Sequence, residues 1–102
     1  MKQSETFALN SEFQLESGSY LPEVKITYHT YGNFQKGKSK VVWICHALTA
    51  NSDAADWWKG LVGENYFFNP DEYFIVCANV LGSCYGTTGP LIVNIETGKP
   101  YY

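Results

Sequence analysis

The chain has 102 residues, 45% of them hydrophobic and 17% aromatic, with a formal net charge of −3. That length and apolar content suit one small folded domain and argue against disorder. The acidic balance argues against a nucleic-acid partner, and no apolar window nears the roughly 20 residues of a membrane span.

The N-terminal MKQSETFALN lacks the basic-then-apolar pattern of a secretory signal. A cytoplasmic location without membrane association is therefore expected. Cys45, Cys77 and Cys84 form an odd set, which does not suggest a disulfide framework. Cys45, His46 and Cys84 are the one set that resembles a zinc site. Neighbouring strand residues point to opposite faces, however, so Cys45 and His46 cannot easily share an ion. No metal is expected.

In chain order, FQLESGSYLP (13–22) alternates weakly and turns at Gly18 and Ser19. In EVKITYHTYG (23–32), Val24, Ile26, Tyr28 and Thr30 take one face and Lys25, Thr27, His29 and Tyr31 the other. This period of two marks a half-buried strand, and the two segments together read as an antiparallel hairpin. After the basic turn NFQKGKSK, the run Val41–Cys45 is continuously apolar, as in strands covered on both faces of a parallel sheet. Ser52 or Asp53 is placed to cap a helix over about Ala54–Val62, stopped by Gly63. Trp57 and Trp58 should diverge by about 100°, one packing inward. Asp53 and Asp56 suit the helix dipole. A second apolar strand covers Tyr73–Gly82, and glycine-rich GSCYGTTGP follows. The order is hairpin, strand, helix, strand: an α/β fold with one βαβ crossover behind an antiparallel pair. Two buried strands with one helix leave the sheet short of cover and with a bare edge. The expected organisation is a partial α/β domain over residues 1–102, with an incomplete sheet.

In open α/β sheets, ligands sit beyond the carboxyl ends of the parallel strands. CHALTAN and NVLGSCYGTTGP follow the two such ends, so both are expected to rim one crevice. Backbone N–H groups in a strand-to-helix turn are not all consumed by sheet and helix. Aimed at one point, they can stabilise a developing oxyanion, among the larger single contributions to catalysis. Leu48 or Ala47 is placed to supply such a donor.

No Gly-x-Ser-x-Gly elbow is present. His29 and His46 are the only candidate bases, and neither has an evident Ser partner with an Asp to orient it. His46 is read as packing in the turn and hydrogen-bonding backbone, and His29 as a strand residue facing solvent. The glycine loop lacks the Gly-Lys-Ser/Thr ending of a phosphate loop. Gly82, Gly86 and Gly89 are read as positive-φ positions, and Thr87 and Thr88 as hydroxyls available to a substrate.

The segments LPEVKITYHTYGNFQ, VVWICHALTANSDAADWWKGLVGENYFFNPDEYFIVCANVLGSCYGTTGP and VNIETGKPYY resemble the homoserine O-acetyltransferase family of the α/β-hydrolase superfamily. The similarity runs from about Leu15 to the C-terminus. It includes the Tyr-x-Thr-Tyr-Gly strand, the Cys-His-Ala-Leu-Thr turn, Trp-Trp and the Gly-Ser-x-x-Gly-x-Thr-Gly-Pro loop, in the family's order.

The resemblance implies an N-terminal portion of an α/β-hydrolase fold. It also implies acyl transfer from acetyl-CoA to the hydroxyl of L-homoserine, in methionine biosynthesis, through a ping-pong Ser-Asp-His triad. Acetyl-CoA is then a substrate, no cofactor is needed, and the complete enzyme is expected to be a homodimer. Leu48 would supply one backbone oxyanion-hole amide, and Ala47 and Thr49 would lie against the substrate. The nucleophile, the base, the carboxylate-binding arginine and the helical lid have no counterpart in these residues, so the chain alone is expected to be inactive. The alternatives are a homoserine O-succinyltransferase, an esterase-like relative, or a non-catalytic binding or assembly module built on the half-sheet.

Overall fold

The computed structural model describes residues 2–101. Its elements are β1 (Lys2–Leu9), β2 (Phe13–Gln14), β3 (Tyr20–Leu21), β4 (Val24–Tyr31), β5 (Lys40–Ile44), α1 (Ala54–Trp57) and β6 (Tyr73–Ala78). The main sheet has the order β1-β4-β6-β5. The chain divides into two compact units, one of Met1–Glu5 with Tyr28–Ala78 and the other of Thr6–Thr27 with Asn79–Tyr102.

The first unit holds the expected βαβ crossover. β5 and β6 are parallel, with Val42 opposite Ile75 and Ile44 opposite Cys77. β6 also pairs antiparallel with the end of β4, His29 lying opposite Cys77 and Tyr31 opposite Ile75. One face of this unit carries the core: Tyr31, Ile44, Ala54, Val62, Ile75 and Cys77, with Val42, Trp57 and Phe68 packed against it. This is the period-two consequence of the register, since paired residues share a face.

Three expectations change here. The helix ends at Trp57, not near Val62, and is only 4 residues long. Trp58 leaves helical dihedrals at φ −116, ψ 79, and Gly60 turns at φ +87. The Trp57 indole N–H donates back to the Asn51 carbonyl at 2.8 Å, so a compact turn satisfies the chain where a longer helix was expected. One tryptophan was expected to pack inward and the other to face a neighbouring segment; Trp57 packs inward, whereas Trp58 is exposed.

The second change concerns β5, which is not covered on both faces: Val41 is 54% and Trp43 64% exposed. Val76 lies opposite Trp43 on that same face and is only 9% exposed. The difference is position. β6 has a strand on each side, whereas β5 is the last strand of the sheet among the described residues, so its outward side chains lack one row of neighbours. The third change is β1, an eight-residue strand that the sequence pattern did not announce.

Cys77 is fully buried on the core face, and burial pushes its thiol up to about 11. Cys45 and Cys84 are exposed. The thiolate is the reactive form and needs solvent access. Mild alkylation at neutral pH is therefore expected to add two adducts per folded chain, and a third only on denaturation, as read by intact mass.

The second unit contains the antiparallel hairpin β2–β3, with Phe13 opposite Leu21 and Gln14 opposite Tyr20. The hairpin thus closes within 13–21, around the turn at Gly18. Val24–Tyr31, expected to be its second arm, belongs to the main sheet instead.

The glycine-rich loop of this unit is organised by the buried Asn79. Its side-chain N–H donates to the carbonyls of Thr27 (2.9 Å) and Tyr85 (3.3 Å). Gly82 and Gly86 have the expected positive φ. Gly89 is required for a different reason: a Cβ there would overlap the Ser83 carbonyl oxygen.

Candidate functional site

β5 and β6 end side by side at Ile44 and Cys77, so the segment after Ile44 leaves from the carboxyl edge of a parallel pair. Its turn spans Ala47–Ala50 and is closed by the Ala50 N–H donating to the Ala47 carbonyl at 3.0 Å. Thr49 has φ +68 and Leu48 a negative φ, which makes this a type II turn with Thr49 at the position that favours glycine. A β-branched residue there is strained, a cost of order 1–3 kcal/mol that local structure must offset. The Leu48 side chain is 92% exposed. Among the described residues, the backbone N–H groups of Ala47, Leu48 and Thr49 make no hydrogen bond. The three residues singled out from the sequence therefore lie together on an exposed turn with uncommitted donors.

His46 behaves as expected. Its Nδ1 lies 2.9 Å from the Ala47 carbonyl oxygen. His29 does not, because it is half-buried rather than solvent-facing, and it has a serine partner: Nδ1 is 2.7 Å from Ser52 Oγ. Ser52 is 1% exposed, which closes it to substrate and makes the pair a structural tie.

Asp53 occupies the N-cap of α1 but makes no side-chain cap bond. It accepts instead from Tyr31 Oη at 2.7 Å and from Lys2 Nζ at 2.8 Å. Tyr31 Oη in turn accepts the Ala55 N–H at 3.2 Å, and the Asn51 side chain accepts the Asp53 N–H at 2.9 Å. Two residues of β4, His29 and Tyr31, thus hold the far end of the loop through Ser52 and Asp53. Sequence reasoning missed these ties. The available signal was that His29 and Tyr31 share the face of β4 that β6 turns toward its own buried residues.

Burial pushes the Asp53 carboxyl up, but the hydrogen bonds from Lys2 and Tyr31 outweigh it and hold the group below its ordinary 3.8. A carboxyl depressed in the folded state adds stability that is present above 3.8 and lost as pH falls through the folded value. Asp53→Asn is expected to lower stability at neutral pH and to narrow its gap from the unchanged chain as pH falls below the ordinary 3.8. Urea midpoints across pH check this, and a gap independent of pH would contradict it.

Thr87 and Thr88 are not available to a ligand, because both are buried and already committed. Thr87 Oγ1 donates to the Asn79 carbonyl at 3.1 Å and accepts the Thr27 N–H at 3.0 Å. Thr88 Oγ1 accepts the Lys25 N–H at 2.8 Å. Their hydroxyls bond the backbone of the first half of β4 and do not face a substrate.

No family model matches the chain. It is 49% identical over 98 residues to homoserine O-acetyltransferase of Cyclobacterium marinum, an alignment covering 96% of this chain and 28% of that protein. It is 52% identical over 95 residues to the Chlorobaculum tepidum enzyme of the same name, covering 93% of this chain and 27% of that one. The crystal structure of homoserine O-acetyltransferase from Bacillus anthracis superposes with TM-score 0.88 at 32% identity, over 99% of this chain and 31% of that one. The chain is homologous to the homoserine O-acetyltransferases.

It spans about 28% of the length of the curated relatives it matches. The fold is that of α/β-hydrolase structures, as expected. Esterase E22 also superposes, with TM-score 0.81 at 25% identity, over 99% of this chain and 32% of that one.

Proposed function

We propose that this chain is the donor-loop portion of a homoserine O-acetyltransferase, which moves an acetyl group from acetyl-CoA to the hydroxyl of L-homoserine. The observation that carries the reading is the coincidence of two things. Homology to enzymes of that name runs along nearly the whole chain, and the Ala47–Thr49 turn presents uncommitted amides at the carboxyl edge of the parallel pair. In this reading the Leu48 N–H stabilises the oxyanion of the acyl-transfer intermediate. Ala47 and Thr49 border the substrate. The Ser-His-Asp triad lies outside these residues, so the chain alone is inactive.

The test exchanges this chain for the matching segment of the Chlorobaculum tepidum enzyme. Homoserine-dependent release of CoA thiol is expected from the chimera and not from the 102-residue chain alone. Turnover by the isolated chain would sink the proposal that the triad lies elsewhere. The likeness to esterase E22 supports a second reading, an ester hydrolase. A chimera that hydrolyses acetyl esters without acetylating homoserine would favour it.

A further inference from the structure

The Ala47 carbonyl is held twice. It accepts the Ala50 N–H at 3.0 Å, closing the turn, and lies 2.9 Å from His46 Nδ1. A carbonyl oxygen only accepts, so His46 must carry a proton on Nδ1 to make this bond, and the two lone pairs of the oxygen accommodate both donors. The Ala47 carbonyl and the Leu48 N–H belong to one peptide unit. That unit is planar and trans, so its C=O and N–H point in opposite directions. Whatever fixes the carbonyl fixes the aim of the amide.

The closing bond of the turn fixes it only as well as the turn itself is fixed, and the turn is strained at Thr49, φ +68. The side chains of Ala47 and Leu48 are exposed and give little packing to hold it. The ties found at Ser52 and Asp53 act at the far end of the loop.

From this geometry we infer that His46 is a positioning residue: through Nδ1–H to the Ala47 carbonyl, it orients the Leu48 amide as a preorganised donor. The inference rests on the proposed function for the use of that amide, but the orientation itself does not depend on it. Its Nδ1 proton is engaged with backbone, and its contribution is to prevent the donor peptide from rotating when charge develops. A donor that must first turn into place loses much of its value, because preorganisation is what makes such groups effective.

The test uses the 102-residue chain itself and NMR, with no substrate present. The His46 ring is expected to show the Nδ1–H tautomer in its nitrogen shifts. The Leu48 N–H is expected to be rigid, with an order parameter near 0.85, and to fall toward about 0.6 in His46→Ala. Two amide variants separate positioning from bulk. Asparagine places its NH2 where histidine has Nδ1, and glutamine places it where histidine has Nε2. His46→Asn should restore the order parameter and the residual dipolar coupling of the Leu48 N–H, and His46→Gln should not. A predominant Nε2–H tautomer, an unchanged Leu48 vector in His46→Ala, or equal rescue by both amides would each overturn the inference. If the vector responds as expected while Leu48→Pro leaves turnover of the chimera intact, the positioning stands and the oxyanion reading fails.

Discussion

Leu48→Pro in the Chlorobaculum tepidum chimera is expected to lower kcat about 10²–10³-fold, the range seen when one oxyanion donor is removed. The substitution is unusually clean. Leu48 occupies the second position of a type II turn, where proline is favoured because its fixed φ matches. Its N–H makes no hydrogen bond that the fold would miss among the described residues. Its side chain is 92% exposed, so little packing is lost. Leu48→Ala, which keeps the amide, should stay within about threefold of the unchanged chimera if only the donor matters. KM should change little in Leu48→Pro, because an oxyanion donor acts on the transition state more than on bound substrate. A kcat retained by Leu48→Pro, or lost equally in Leu48→Ala, would remove the amide from the mechanism.

The largest effect on stability is expected at Ile75. This residue is fully buried on β6, the strand flanked by both β4 and β5, and lies opposite Val42 and Tyr31. Ile75→Ala removes three carbons where neighbours on both sides are held by strand pairing and cannot collapse freely. A loss of about 3–4 kcal/mol follows from such large-to-small changes, and about 1 kcal/mol for Ile75→Val. Domains of this size are stable by only about 5–15 kcal/mol, so the alanine variant should bring the chain close to unfolding at room temperature. Urea denaturation followed by tryptophan fluorescence measures both. A cost for Ile75→Ala no greater than for Ile75→Val would show that this face is not close-packed.

The β5–α1–β6 unit was legible because its signals are local. Val41–Cys45 and the run from Tyr73 are apolar without interruption, the turn residues between them leave room for a crossover, and parallel pairing follows from that order. The donor turn was legible for the same reason, since its place at the strand end depends only on where the apolar run stops.

The helix boundary was not legible. Ala54–Val62 reads as helix by composition, but the Trp57 indole reaching back to Asn51 is a tertiary choice. Nor was the service of Thr87 and Thr88, whose hydroxyls meet backbone 60 and 63 residues earlier in the chain.

By itself the sequence determined which segments are strands of a parallel pair, where the chain turns between them, and that His-Ala-Leu-Thr lies at their carboxyl edge. Only the tertiary structure decided which face of β5 is covered, that His29 holds Ser52 and that Tyr31 holds Asp53. The physical reason is range. Hydrophobic period reports what each residue does relative to its immediate neighbours, whereas a partner 22 or 23 residues away is chosen by strand order and register, which no local pattern encodes.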